Sequence, residues 1–167
     1  LGWGDIGYHY VVDRNGVIYQ GRTSGAPPAG YIAEGGHALR YNCGSGAVVA
    51  LGNYQPNISV PLTALTPQTR QSVVSIMAWL LHTYGIRPWE QRLVVDKTVL
   101  GMCGHRDLLA TQCPGDNLYA LLDGMRIEPE LRCRHQCPRN RCRGRRYRVQ
   151  RVIHPRDVVR QRLDDRR

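Results

Sequence analysis

Two side chains eight residues apart, His105 and Cys113, are the strongest candidates for chemistry in this sequence. They lie in the stretch Gly104-His105-Arg106-Asp107-Leu108-Leu109-Ala110-Thr111-Gln112-Cys113-Pro114-Gly115. Imidazole and thiolate are preferred zinc ligands, at roughly 2.0 to 2.1 Å and 2.3 Å, so two of them on one ion stand within about 4 Å of each other. On a continuous helix eight residues span about 12 Å along the axis, so the segment must loop back. Pro114-Gly115 after the cysteine and the strand-like run before the histidine permit this, with His105 at a strand end and Cys113 at a turn entering a helix. Three readings stay open from these residues alone: a packed histidine beside a buried or disulfide-linked cysteine, a pair of zinc ligands, or a Cys-His nucleophile pair. The last has no cysteine-protease signature behind it.

Such a pair needs a rigid frame, and the first 125 residues carry the signals of one. Tyr8 to Val12, Asp13-Arg14-Asn15-Gly16 and Val17 to Gln20 read as two strands around a turn, with Asn-Gly supplying positive φ. Thr23 to Gly36, rich in Gly, Ala and Pro, has no helical or strand period and reads as a surface loop. Gly46 to Leu51 reads as a strand covered on both faces, and Val94 to Met102 as a second buried strand. Thr66-Pro67 starts a helix in which Val73, Met77, Leu80 and Tyr84 recur at helical spacing, ending near Gly85. Asp116 to Leu122 is a short helix after Cys113-Pro114-Gly115. Strands alternating with helices imply an α/β or α+β fold with a central mixed sheet flanked by helices. There is no internal repeat of solenoid or propeller period.

Three further stretches bear on His105 and Cys113. Gly2-Trp3-Gly4-Asp5-Ile6-Gly7-Tyr8-His9-Tyr10 runs into Asp13-Arg14-Asn15-Gly16-Val17-Ile18-Tyr19-Gln20-Gly21-Arg22. Gly36-His37-Ala38-Leu39-Arg40-Tyr41-Asn42 then leads to Gly52-Asn53-Tyr54. In order, these motifs resemble the peptidoglycan recognition proteins and their relatives, the type 2 N-acetylmuramoyl-L-alanine amidases, from about Trp3 to Leu122. The resemblance implies that His105 and Cys113 are two zinc ligands, with the retained cysteine typical of the hydrolytic branch. It implies that Tyr8 stands beside the water that Zn2+ activates and that Thr111 is a polar residue near the developing oxyanion. It also implies that His37 and Asn42 line the groove for the muramyl peptide, while Trp3 and Arg22 lie in family motifs without an assigned role. The implied reaction cuts the amide between N-acetylmuramic acid and L-alanine, with no cofactor beyond zinc. The alternative is a non-catalytic peptidoglycan-binding protein that keeps the groove but not the metal.

The sequence departs from the family at one ligand. Relatives carry a first zinc-binding histidine on a central strand upstream of the Gly-Tyr motif, and this sequence contains neither, so it reads as N-terminally truncated and lacking that central strand. Its activity as written is therefore in question. His9, next to Tyr8 on a strand, points to the opposite face and is a poor substitute. His37 is a candidate replacement from the far wall of the groove, and His82 reads as an ordinary histidine of the long helix.

Charge divides the chain. Residues 1–125 hold 8 Lys/Arg and 8 Asp/Glu, whereas residues 126–167 hold 15 Arg and 5 Asp/Glu and so carry the whole formal charge of +10. The expected organisation is an amidase-like peptidoglycan recognition domain over 1–125 and a flexible Arg/Cys-rich basic tail over 126–167. The tail could contact anionic polymers through charge alone, but Tyr147 is its one aromatic residue, so stacking on bases is hardly available and a nucleic-acid partner is not favoured. Cys133, Cys137 and Cys142 with His135 do not have the common two-residue zinc-knuckle spacing. Part of Val149 to Leu163 could form a short amphipathic helix interrupted by Pro155. A Cys43 to Cys103 disulfide is conceivable. No apolar run approaches bilayer-spanning length, and the opening residues read as neither a charged n-region nor an apolar signal core. The remaining expectations are a monomer that binds bacterial peptidoglycan and works in an extracellular or cell-wall setting.

Overall fold

The computed structural model describes residues 4–22, 32–56 and 64–127, together with the backbone of residues 152–153. Trp3, most of the Thr23 to Gly36 loop and nearly all of the tail, with its cysteines and His135, lie outside the described residues.

The hairpin forms as its sequence demands. Strands β1 (Tyr10–Val12) and β2 (Ile18–Gln20) pair antiparallel, with Val12 opposite Ile18. Asp13 opens the turn: its Oδ1 accepts from the Asn15 and Val17 N–H groups, and Gly16, at φ +83°, supplies the left-handed residue that returns the chain. Gly16 alone provides the positive φ, in the pattern of a type I turn followed by one left-handed residue. Strand β3 (Val48–Ala50) joins β1 in parallel, and β6 (Val152–Ile153) joins β2 in parallel, giving a mixed sheet in the order β3-β1-β2-β6. Residues 152–153 are thus extended, and the rest of the Val149 to Leu163 stretch, where a short helix was expected in part, lies outside the described residues.

Helix α1 (Pro67–Thr83) packs across β1 and β3. Thr66 caps it, accepting from the Thr69 N–H at 3.1 Å and donating to the Arg14 carbonyl at 2.8 Å, which ties the helix start to the hairpin turn. Its end is a Schellman motif: the Ile86 N–H reaches the Leu81 carbonyl, the Gly85 N–H reaches the His82 carbonyl, and Gly85 sits at φ +64°. Val73, Val74, Ile76 and Leu81 meet Val12, Ile18, Met102, Leu118 and Met125 in the main core. Among the described residues no helix is long and apolar enough to cross a membrane.

Two strand expectations need correction. Val94 to Met102 is not one buried strand: β4 (Gln91–Val94) and β5 (Lys97–Leu100) form a separate hairpin that turns at Val95-Asp96. Leu93 is 73% exposed and Val95 58% exposed, so apolar character here does not report burial. Only the inner side of this hairpin is covered, where Val99 packs with Ala38, Tyr41 and Leu108. Strand β3 is half-buried throughout rather than covered on both faces, because a cavity opens along it. Short helices α2 (His105–Leu108) and α3 (Asp116–Tyr119) follow, and residues 122–127 are helical.

The cap gives a test. Thr66→Ala should lower unfolding free energy by about 1 to 2 kcal/mol in urea melts, while Thr66→Ser should stay near wild type. Equal losses in both would show that the hydroxyl is not the cause.

Candidate active site

Tyr8, His37, His105 and Cys113 line one cavity of about 260 Å³, whose deeper wall is apolar and includes Val48, Val73, Met77 and Met125. Backbone pairing brings the first two together. The Gly36 N–H donates to the Gly7 carbonyl at 2.9 Å, and the Tyr8 and His37 rings stack at 6.3 Å. Tyr8 also accepts, through its carbonyl, from the Arg22 N–H, while the Arg22 guanidinium reaches the Ile6 and Asp5 carbonyls. Arg22 thereby fixes the approach to β1, a role its motif did not disclose.

His105 begins α2, directly after Gly104, and is not at the end of a strand. Asp107 Oδ2 accepts from the Gly104 N–H at 2.7 Å and fixes the start of that helix. Burial lowers the His105 pKa, so the ring is neutral at neutral pH, and its Nε2 is buried without a hydrogen-bond partner. Cys113 lies at the turn before α3, as its Pro-Gly neighbours implied. Burial raises its thiol pKa, against an opposing pull from Arg106. Tyr8 is raised as well, first by burial and then by negative charge on Cys113, so the phenol keeps its proton at neutral pH.

The other two residues singled out from the sequence do not line the cavity. Thr111 Oγ1 accepts from the Cys113 N–H at 3.2 Å and braces the turn. Asn42 Oδ1 accepts from the His37 and Ala38 N–H groups at 3.0 and 2.8 Å, so the carboxamide shapes the loop that presents His37.

The two histidines near β1, His9 and His37, do different work. His9 is 2% exposed, and its two ring nitrogens bond the Ala33 carbonyl and the Ala47 N–H, which occupies both and leaves neither for a ligand. Its ring meets that of His37 edge-on at 5.6 Å. His37 is pushed down to about 4, by burial first and then by His9, with the Ser45 backbone opposing through a hydrogen bond and His105 adding a smaller depression. Its Nε2 is buried and unpartnered. His82, on α1, is half-buried.

Do these residues suit a zinc ion? The unpartnered, neutral His105 Nε2 and the thiol of Cys113, two residues lining one cavity, are of the donor types that fit two coordination positions. Among the described residues no three His, Cys, Asp or Glu side chains form a group that could hold a metal ion, so His37 does not join His105 and Cys113 as a third ligand. Cys103 lines the cavity too, but burial pushes its thiol up to about 11, and Cys43 and Cys103 are separate free thiols rather than a disulfide. Cys103 was singled out from the sequence only as a disulfide candidate, and Arg106 was not singled out at all. Arg106 follows His105 directly, which was the signal available.

Comparison with known proteins identifies the family. Residues 2–116 match the family described as N-acetylmuramoyl-L-alanine amidase. The human N-acetylmuramoyl-L-alanine amidase is 35% identical over 121 residues, covering 72% of this chain and 17% of that protein. Peptidoglycan-recognition protein SC2 of Drosophila melanogaster is 30% identical over 121 residues, covering 71% of this chain and 52% of that one. Among solved structures, the N-acetylmuramoyl-L-alanine amidase LysC from Clostridium intestinale URNW superposes with a TM-score of 0.55 at 25% identity, over 77% of this chain and 68% of that one. The chain belongs to the N-acetylmuramoyl-L-alanine amidase family. It spans well under two thirds of the length of those human and fly relatives.

The depressed His37 pKa has a measurable consequence. Between about pH 6.5 and 4 the unfolded chain binds the proton that folded His37 refuses, so its contribution to stability is complete above 6.5 and lost as pH falls toward 4. His37→Gln should flatten the fall in melting temperature across that window. An unchanged slope would show that His37 is not buried as a neutral ring.

Proposed function

We propose that this chain is a zinc-dependent N-acetylmuramoyl-L-alanine amidase that hydrolyses the amide between N-acetylmuramic acid and L-alanine in bacterial peptidoglycan, acting in an extracellular or cell-wall setting. The observation that carries the reading is the buried, partnerless Nε2 of His105, a residue that lines the cavity Cys113 also lines. A buried imidazole nitrogen with no partner costs about 1 to 3 kcal/mol, a cost that a ligand in the cavity removes.

The residues present would hold zinc through His105 Nε2 and Cys113 Sγ, and a third protein ligand would come from outside the described residues. When bound, zinc supplies a Lewis acid and lowers the pKa of water to about 7. The chain's own residues do the rest. Tyr8, protonated at neutral pH, offers its O–H to the negative charge that develops on the amide carbonyl oxygen. Neutral His37, with its Ser45 hydrogen bond on the ring and Nε2 without a partner, offers an acceptor to an N–H or O–H of the muramyl peptide. Asn42 holds the His37 backbone in place, and Thr111 braces Cys113.

One observation favours the second reading, a peptidoglycan-binding protein without hydrolysis: the described residues hold no group of three ligands. Incubation with purified peptidoglycan distinguishes the two. The amidase reading expects new L-alanine amino termini and one zinc per chain, both lost in Cys113→Ser. Tyr8→Phe should keep the zinc while slowing cleavage by about 10²-fold or more. Tight binding of muramyl peptide with neither zinc nor cleavage would overturn it in favour of the binder.

A further inference from the structure

Arg106 sits next to His105 in the chain, yet its guanidinium reaches across the loop to the segment that carries Cys113. Nη1 donates to Asp116 Oδ1 at 2.6 Å, and Nη2 donates to the carbonyl of Gln112, the residue before Cys113. The guanidinium carbon lies 4.8 Å from the centroid of the Tyr119 ring, whose hydroxyl in turn donates to Asp107 Oδ1. One planar fork thus grips the chain on both sides of Cys113 from a Cα adjacent to His105.

We infer that Arg106 is a positioning residue that latches the Gly104 to Gly115 loop closed, holding the Cys113 thiol where it and His105 can share one divalent cation. The inference rests on the zinc reading above. The Asp116 side chain is 58% exposed, so the ion pair itself contributes little. What matters is geometry: the fork and the aromatic stack fix a guanidinium in one plane, which the single ammonium of a lysine cannot do. The Gln112 carbonyl also accepts from the Gly115 N–H at 2.8 Å and from Gln55 Nε2 at 3.3 Å, so the grip falls where the loop is already anchored to its surroundings. The residues that orient metal ligands typically alter affinity by 10- to 100-fold when removed.

A purely structural staple would behave differently, and Arg126 provides the contrast. Like the half-buried Arg106 it stacks over an aromatic ring, here Trp89, but Arg126 is buried, its Nε donates to the Met102 carbonyl at 2.7 Å, and it lies outside the ligand loop. The test uses the full chain with two readouts: zinc affinity by chelator competition, and amide hydrogen exchange of residues 109–115 in the metal-free protein. Arg106→Ala should weaken zinc binding about tenfold or more and speed exchange across 109–115. Arg106→Lys should fall between it and wild type, and it keeps the test available should the alanine variant not fold. Arg126→Ala should leave both readouts at wild-type values even where it lowers the melting temperature. Wild-type zinc affinity and wild-type exchange in the Arg106 variants would overturn the latch. If instead wild-type protein binds no zinc that Cys113→Ser abolishes, the zinc reading fails, and the exchange result still decides whether Arg106 closes the loop.

Discussion

The site depends on the chain between Gly104 and Gly115 turning back on itself, so that an imidazole and a thiol eight residues apart face a single cavity. That reversal is held by groups that do not face the cavity: Asp107 on the Gly104 N–H, Thr111 on the Cys113 N–H, and the Tyr119 hydroxyl on Asp107. The loop is therefore ordered before any ligand arrives. Preorganisation of this kind moves the entropy of arranging the ligands into folding, where the core bears it, and leaves binding correspondingly tighter.

The second half of the site comes from the sheet. Pairing of Gly7 with Gly36, and of His9 and Tyr10 with Ala47, delivers Tyr8 and His37 to the same cavity. His9 is spent on this scaffold, with both ring nitrogens bonded to backbone, while the chemically similar His37 keeps one nitrogen without a partner. Environment, not residue type, separates a structural histidine from a candidate functional one. The same holds for the cysteines lining the cavity, since Cys103 is desolvated more strongly and lies near the Asp107 carboxylate, whereas Cys113 lies near the Arg106 guanidinium.

What the sequence disclosed follows the range of the forces involved. The β1-β2 turn, the Thr66 cap and the Gly85 stop are short-range devices whose residues determine them locally, and all three stand where the pattern put them. Alternation of sheet and helix signals gave the fold class for the same reason. The hairpin of β4 and β5 escaped because its turn residue, Val95, adopts φ +57°, a left-handed conformation that a β-branched residue rarely takes and that no local pattern announces. The half-exposure of β3 escaped because burial depends on what packs alongside, not on the strand's own apolar run. Arg106 escaped because its partners lie six to thirteen residues onward and converge only after the loop closes.

X-ray absorption at the zinc edge of the purified chain tests the shared ion most directly. A first shell with one sulfur near 2.3 Å and nitrogen near 2.0 Å, the sulfur missing in Cys113→Ser, is the predicted result. A shell of oxygen and nitrogen alone, unchanged by that substitution, would mean that His105 and Cys113 never meet on a metal.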